Sequence, residues 1–85
     1  MRWELLLAGP AKRALERIPA SDQVRILAAL EDMEDDPFHG DIVRLKAQPA
    51  AWRRRVGNWR ILFDVDPARR LVIVLDVLRR TSTTY

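Results

Sequence analysis

The sequence predicts an α+β domain: a short N-terminal strand, an antiparallel two-helix hairpin, then a curved antiparallel sheet of three to four strands. Three observations carry this. Apolar residues recur at helical spacing between Gly9 and Asp36; from Ile42 onward the pattern changes to alternation and apolar runs; and Gly57-Asn58 separates two segments rich in β-formers. A chain of 85 residues suits one such domain, spanning 1–85.

Residues 3–8 read as a short, mostly buried strand. Gly9-Pro10 stops it and opens a helix, Pro10 suiting a first-turn position whose N–H has no helical partner. Ala11, Ala14, Leu15 and Ile18 fall on one face of that helix, and Lys12, Arg13, Glu16 and Arg17 on the other. Pro19 ends it. Ser21 is the expected N-cap of a second helix, with Asp22 favourable at its positive end. Val24, Leu27, Leu30 and Met33 mark the expected buried stripe, and Pro37 follows an acidic stretch from Glu31 to Asp36. Ile42–Leu45 suits a short strand. Trp52–Val56 and Trp59–Val65 flank the two-residue connection and read as a hairpin. Asp66-Pro67-Ala68-Arg69 supplies a turn, and the nearly unbroken apolar run Leu71–Leu78 is expected to be a central strand covered on both faces.

Composition removes several function classes. There is no cysteine, hence no disulfide, thiolate nucleophile or cysteine zinc site. No apolar run approaches the ~20 residues of a membrane span, and Leu5–Ala8 is too short for a signal-peptide core, so no membrane partner and a cytoplasmic location are expected. The net charge of +3 conceals an asymmetry. Residues 1–40 carry five basic and eight acidic side chains, a balance of −3, whereas residues 41–85 carry ten basic and four acidic, a balance of +6. All but Lys46 of those ten are arginines, whose rigid, permanently charged fork suits phosphate. The second half therefore points to an anionic partner.

A two-residue turn at Gly57-Asn58 dictates a register in which Val56 faces Trp59, Arg55 faces Arg60, Arg54 faces Ile61 and Arg53 faces Leu62. Alternation then places Arg53, Arg55 and Arg60 on one face, and Trp52, Val56, Trp59, Ile61, Phe63 and Val65 on the other. Like charges directly opposite one another are destabilising, which a wet face or a bound anion relieves. Arg54 falls on the apolar face, from which it must snorkel at the sheet edge unless a bulge shifts the register. The lone histidine, His39, lies in the loop after the acidic run. That run, Glu31, Asp32, Glu34, Asp35 and Asp36, reads as a solvated helix end, so no metal site and no cofactor are expected.

The strings Arg44-Leu45-Lys46, Trp52-Arg-Arg-Arg-Val-Gly-Asn-Trp-Arg-Ile-Leu-Phe63 and Val72-Ile-Val-Leu-Asp-Val-Leu-Arg-Arg80, with a terminal Tyr85, resemble the RelE/ParE toxin superfamily of bacterial type II toxin–antitoxin systems. Leu7-Ala-Gly-Pro-Ala-Lys-Arg-Ala-Leu-Glu-Arg-Ile-Pro19 is similar to the family's N-terminal pattern. The resemblance implies a RelE-like microbial RNase fold and a toxin acting in stress responses. In the RelE branch such a toxin enters the ribosomal A site and cleaves mRNA without a metal, the RNA 2′-hydroxyl attacking the adjacent phosphate. Position by position, it implies catalytic roles for Arg53, Arg55, Arg60, Arg80 and Tyr85, and RNA or phosphate contacts for Arg44, Lys46, Arg54 and Arg79. The implied partners are a cognate antitoxin with an acidic or amphipathic segment, the ribosome and mRNA, and operator DNA only through the antitoxin. The same resemblance leaves open a ParE-like inhibitor of DNA gyrase, or a degenerate toxin serving as antitoxin partner and corepressor. Two departures stand out: Arg79 replaces a frequent histidine and Leu78 the glycine before it, leaving the site without lysine or histidine.

Overall fold

The computed structural model of the chain describes residues 2–46 and 50–79. Its elements are β1 (Glu4–Leu7), α1 (Gly9–Arg17), α2 (Ala20–Asp35), β2 (Ile42–Arg44), β3 (Trp52–Val56), β4 (Trp59–Asp66) and β5 (Leu71–Arg79). The strands form one sheet in the order β1-β5-β4-β3-β2. Strands β2 to β5 are antiparallel neighbours, while β1 pairs parallel to β5, with Leu5 opposite Val72 and Leu7 opposite Val74. The sheet is thus mixed and five-stranded rather than purely antiparallel. The two helices intervene between β1 and the rest of the sheet, which gives the chain the long crossover that a parallel pair requires.

One sheet face carries the core. Ala11, Leu15 and Ile18 near α1 and Ile26, Ala29, Leu30 and Met33 from α2 cluster with Ile61, Phe63, Val72, Val74 and Val77, all of them buried. Alternation along β4 presents Trp59, Ile61, Phe63 and Val65 to the helices and Arg60, Leu62, Asp64 and Asp66 to the other side. In β5 the buried valines are not evenly spaced. Leu62 pairs with Asp76 but Phe63 pairs with Val74, so Leu75 is an extra residue, and this bulge lets both Val74 and Val77 face the core.

Three local expectations are corrected. Helix α2 begins two residues early, with Pro19 at the N-cap and no side-chain cap, so Ser21 lies within the first turn. Its buried stripe is Ile26, Ala29, Leu30 and Met33, the i, i+3, i+4, i+7 set; Val24 and Leu27 are 67% and 46% exposed. A strict three-residue repeat drifts around a helix of 3.6 residues per turn, which is why the first two members of the expected stripe face outward. Strand β5 is buried on one face only, and the middle position in the sheet belongs to β4. No helix among the described residues is long and apolar enough to cross a membrane.

Phe63 is fully buried at the centre of this core. Phe63→Ala is expected to cost about 3–5 kcal/mol in urea unfolding, whereas Val24→Ser is expected to change stability by no more than about 0.5 kcal/mol.

Candidate functional site

The β3–β4 hairpin has the register that the two-residue connection dictates: Arg53 opposite Leu62, Arg54 opposite Ile61, Arg55 opposite Arg60 and Val56 opposite Trp59. Gly57 has φ +59°, a left-handed value at the first turn position that suits a type II′ connection. Its backbone angle is what calls for glycine; a Cβ there would lie 2.8 Å from an Arg25 guanidinium nitrogen, which a shift of that flexible side chain would relieve.

This turn brings Arg53, Arg55 and Arg60 together on the sheet face that no helix covers among the described residues. Arg55 is exposed and Arg53 and Arg60 are half-buried. Arg53 and Arg55 make no ion pair among the described residues. Arg53 Nε is buried without a hydrogen-bond partner, so its side chain gains by turning toward an incoming acceptor. Leu62 and Leu78 lie beside these arginines, opposite Arg53 and Arg60 respectively, and Asp76 lies opposite Leu62. Such a face can hold a phosphate with charge-assisted hydrogen bonds above a partly apolar floor.

The remaining sequence-predicted residues are distributed elsewhere. Arg54 does not join the cluster. It sits on the helix side, 8% exposed, opposite Ile61 and Ile42. Its NH1 donates to the His39 carbonyl at 3.1 Å, and its NH2 lies 3.5 Å from Asp32 Oδ2. Alternation therefore holds without a register slip, and the acidic end of α2 receives the charge. Gly40, at φ +98°, lets the Arg54 guanidinium pass, since a Cβ there would lie 3.0 Å from its central carbon. Arg44 stands 5.4 Å from the Trp52 ring centroid at the β2 edge, and exposed Lys46 follows it, at the end of the hairpin remote from Gly57. Arg79 is opposite Trp59 on the helix side, its guanidinium 5.9 Å from the indole centroid. Arg80 and Tyr85 lie outside the described residues. Sequence reading missed Arg25, whose packing on the hairpin turn joins residues far apart in sequence and leaves no local signal.

The five-stranded sheet, its paired helices on one face and the arginines on the other together define the architecture of a RelE-like toxin. The chain belongs to the ParE toxin family of type II toxin–antitoxin systems, whose family model matches residues 5–83. Its fold is similar to a chain of the RelE–RelB complex from Pyrococcus horikoshii, with TM-score 0.82 and 19% identity over 98% of this chain and 100% of that one. It is also similar to a chain of the toxin–antitoxin complex RelBE2 from Mycobacterium tuberculosis, with TM-score 0.71 and 25% identity over 94% and 100% of the two chains. A YoeB/ParE toxin from Agrobacterium tumefaciens matches with TM-score 0.75 and 20% identity over 92% and 99%. Comparison with curated protein sequences gave no significant match. Among the described residues, no group of three or more His, Asp or Glu side chains is placed to hold a metal ion.

The two environments of neighbouring arginines make opposite stability predictions. Arg54→Ala removes a buried hydrogen bond and side-chain packing and is expected to destabilise the fold by about 1–3 kcal/mol in chemical denaturation. Arg55→Ala removes a like-charge pair and is expected to be neutral or slightly stabilising. Sulfate should raise the melting temperature of the native chain more than that of Arg55→Ala; equal shifts would show that the face holds no anion.

Proposed function

We propose that this toxin stops translation by cutting mRNA on the ribosome, with Arg53, Arg55 and Arg60 holding the scissile phosphate. The observation that carries this reading is the convergence of those three side chains on one sheet face that no helix covers among the described residues. In the reaction, the RNA 2′-oxygen forms a bond to the adjacent phosphorus, the bond to the 5′-oxygen breaks, and the proton lost from the 2′-hydroxyl ends on the leaving 5′-oxygen. Arginine holds its proton too firmly to be an efficient base. The three guanidinium groups therefore act through charge, stabilising the phosphorane more than the substrate and orienting it for in-line attack. Proton movement is left to water, the RNA itself or another group. Arg80 and Tyr85 are proposed members of the same site on the family resemblance.

A cognate antitoxin is the proposed stable partner, because the RelE–RelB and RelBE2 structures that this fold is similar to are toxin–antitoxin complexes. Its acidic or amphipathic segment would neutralise the +6 half of the chain. A second reading, inhibition of DNA gyrase, is favoured by one observation: the matching family model describes the ParE toxin of parDE.

Induced expression in bacterial cells separates the two. The nuclease reading expects protein synthesis to stop, with cleaved mRNA and unchanged DNA supercoiling; intact mRNA with a gyrase-poisoning phenotype would sink it. Arg60→Ala should lower the cleavage rate by about a hundredfold or more while the purified variant still folds.

A further inference from the structure

On the helix side of the same hairpin tip, a groove of about 370 Å³ runs between α1 and the ends of β4 and β5. Its walls are partly apolar, from Ala14, Ile18, Val77 and the half-buried Trp59 ring, while Arg13 and Arg17 line its α1 side. Both arginines are exposed, and neither makes an ion pair among the described residues. Arg79 reaches over Trp59 with its guanidinium 5.9 Å from the ring centroid, and the Arg25 guanidinium lies against Gly57. Among the described residues Asp76 is the only carboxylate residue lining the groove, and its Oδ1 already accepts the Val77 N–H at 2.8 Å.

This groove and the arginine face are separated by a single strand. Trp59 points to one side of the sheet and Arg60, the next residue, to the other, and Arg25 and Arg55 flank the turn between them. An unpaired basic rim beside an accessible indole is the combination by which proteins hold single-stranded nucleic acid, with arginines on phosphates and a base on the ring. We propose that the groove is a second subsite for single-stranded RNA, continuous with the arginine face past Leu78, which lines the groove and stands opposite Arg60. A strand whose reacting phosphate sits at Arg53, Arg55 and Arg60 passes over the end of β5 beside Leu78, lays a base on Trp59 and sets backbone phosphates against Arg13 and Arg17. The inference rests on the RNA-cleaving reading above and extends it to the path of the substrate. The competing occupant is an acidic peptide strand, since β1 ends its pairing at Val74 and leaves the β5 edge beyond it beside the groove. Continuity with the arginine face favours RNA.

The test is anisotropy of a fluorescent, 2′-O-methylated, uncleavable RNA of about 12 nucleotides, titrated with the full chain at salt concentrations from about 50 to 200 mM. The Arg13→Ala/Arg17→Ala double variant should bind at least about tenfold more weakly, and its log–log salt slope should be shallower by about 1.4, the equivalent of two phosphates. A trinucleotide, long enough only for the arginine face, should bind native chain and double variant alike. Lys12→Ala, on α1 but outside the groove lining, should leave the slope unchanged. Equal slopes for native chain and double variant overturn the proposal, as does an equal loss for the trinucleotide. It is also overturned if a polyglutamate peptide, and not the RNA, binds in an Arg13- and Arg17-dependent way. Because the probe cannot be cleaved, the two readings fail separately. Groove-dependent binding without cleavage of ordinary mRNA removes the nuclease reading alone, and cleavage with unchanged binding by the double variant removes the groove alone.

Discussion

The tight turn at Gly57 is the constraint on which the arrangement of this molecule depends. A two-residue connection leaves one register for β3 against β4, and in a strand a slip of one residue turns every side chain to the opposite face. The stretch Arg53-Arg54-Arg55 makes that sensitivity acute. In the observed register two guanidiniums go to the bare face and one goes under α2; in the slipped one, two would enter an apolar core. A side chain of α2 also lies against the turn. Arg25 of α2 packs against Gly57 so closely that any side chain there would have to displace it. The helices therefore do more than cover the sheet, because one of them closes over the turn that orders the arginines.

Arg54 explains how the acidic and basic halves of the chain are joined. Burying a charge is costly unless the group is paired and hydrogen-bonded. Here the cost is offset by the His39 carbonyl and by Asp32, which belongs to the acidic end of α2. Asp32 is itself 62% exposed, so the pair is partly solvated and its Coulombic share is screened. The carbonyl bond and the packing of the aliphatic stem carry more of the effect. The run Glu31 to Asp36 thus has a structural use: it receives a cation that alternation forces inward, and it fastens the end of α2 to β3.

Much of this was legible in the sequence, for identifiable reasons. Turn chemistry at Gly57-Asn58 is local, so the hairpin register and the grouping of Arg53, Arg55 and Arg60 could be read directly. The strands and helices followed from periodicity. The parallel pairing of β1 with β5 could not be read, because it is a contact between segments more than sixty residues apart with no turn between them to specify it. The β5 bulge is equally silent, since Leu75 looks like any other member of an apolar run. The exposed Val24 and Leu27 show the limit of apolar spacing as a guide: two of four residues in a regular repeat lie on the wrong side of a helix that is nonetheless present. For the site, the family resemblance groups Arg54 and Arg79 with the phosphate contacts; alternation already sets Arg54 apart on the apolar face, whereas the side that Arg79 takes depends on the β5 bulge.

Arg44, Arg53, Arg54, Arg55 and Arg79 therefore fall into three physical states despite identical chemistry. Arg54 is paired within the fold and is unavailable to a ligand without loss of structure. Arg44 and Arg79 lie over indole rings, an arrangement that satisfies the cation weakly and leaves its hydrogen bonds to solvent or to a partner. Arg53 and Arg55 face outward with no opposite charge among the described residues, and Arg55 stands directly across from Arg60. In a domain of 85 residues, whose whole stability is of the order of 0.05–0.15 kcal/mol per residue, repulsion between adjacent strands is not negligible. It is tolerable on a wet face, and it becomes attraction once an anion lies between the strands. The same placement that weakens the empty fold pre-organises it for a phosphate, with the reorganisation cost met during folding rather than at binding. Net charge cannot express this distinction, because it counts Arg54 and Arg55 equally when one closes the fold and the other opens it to a partner.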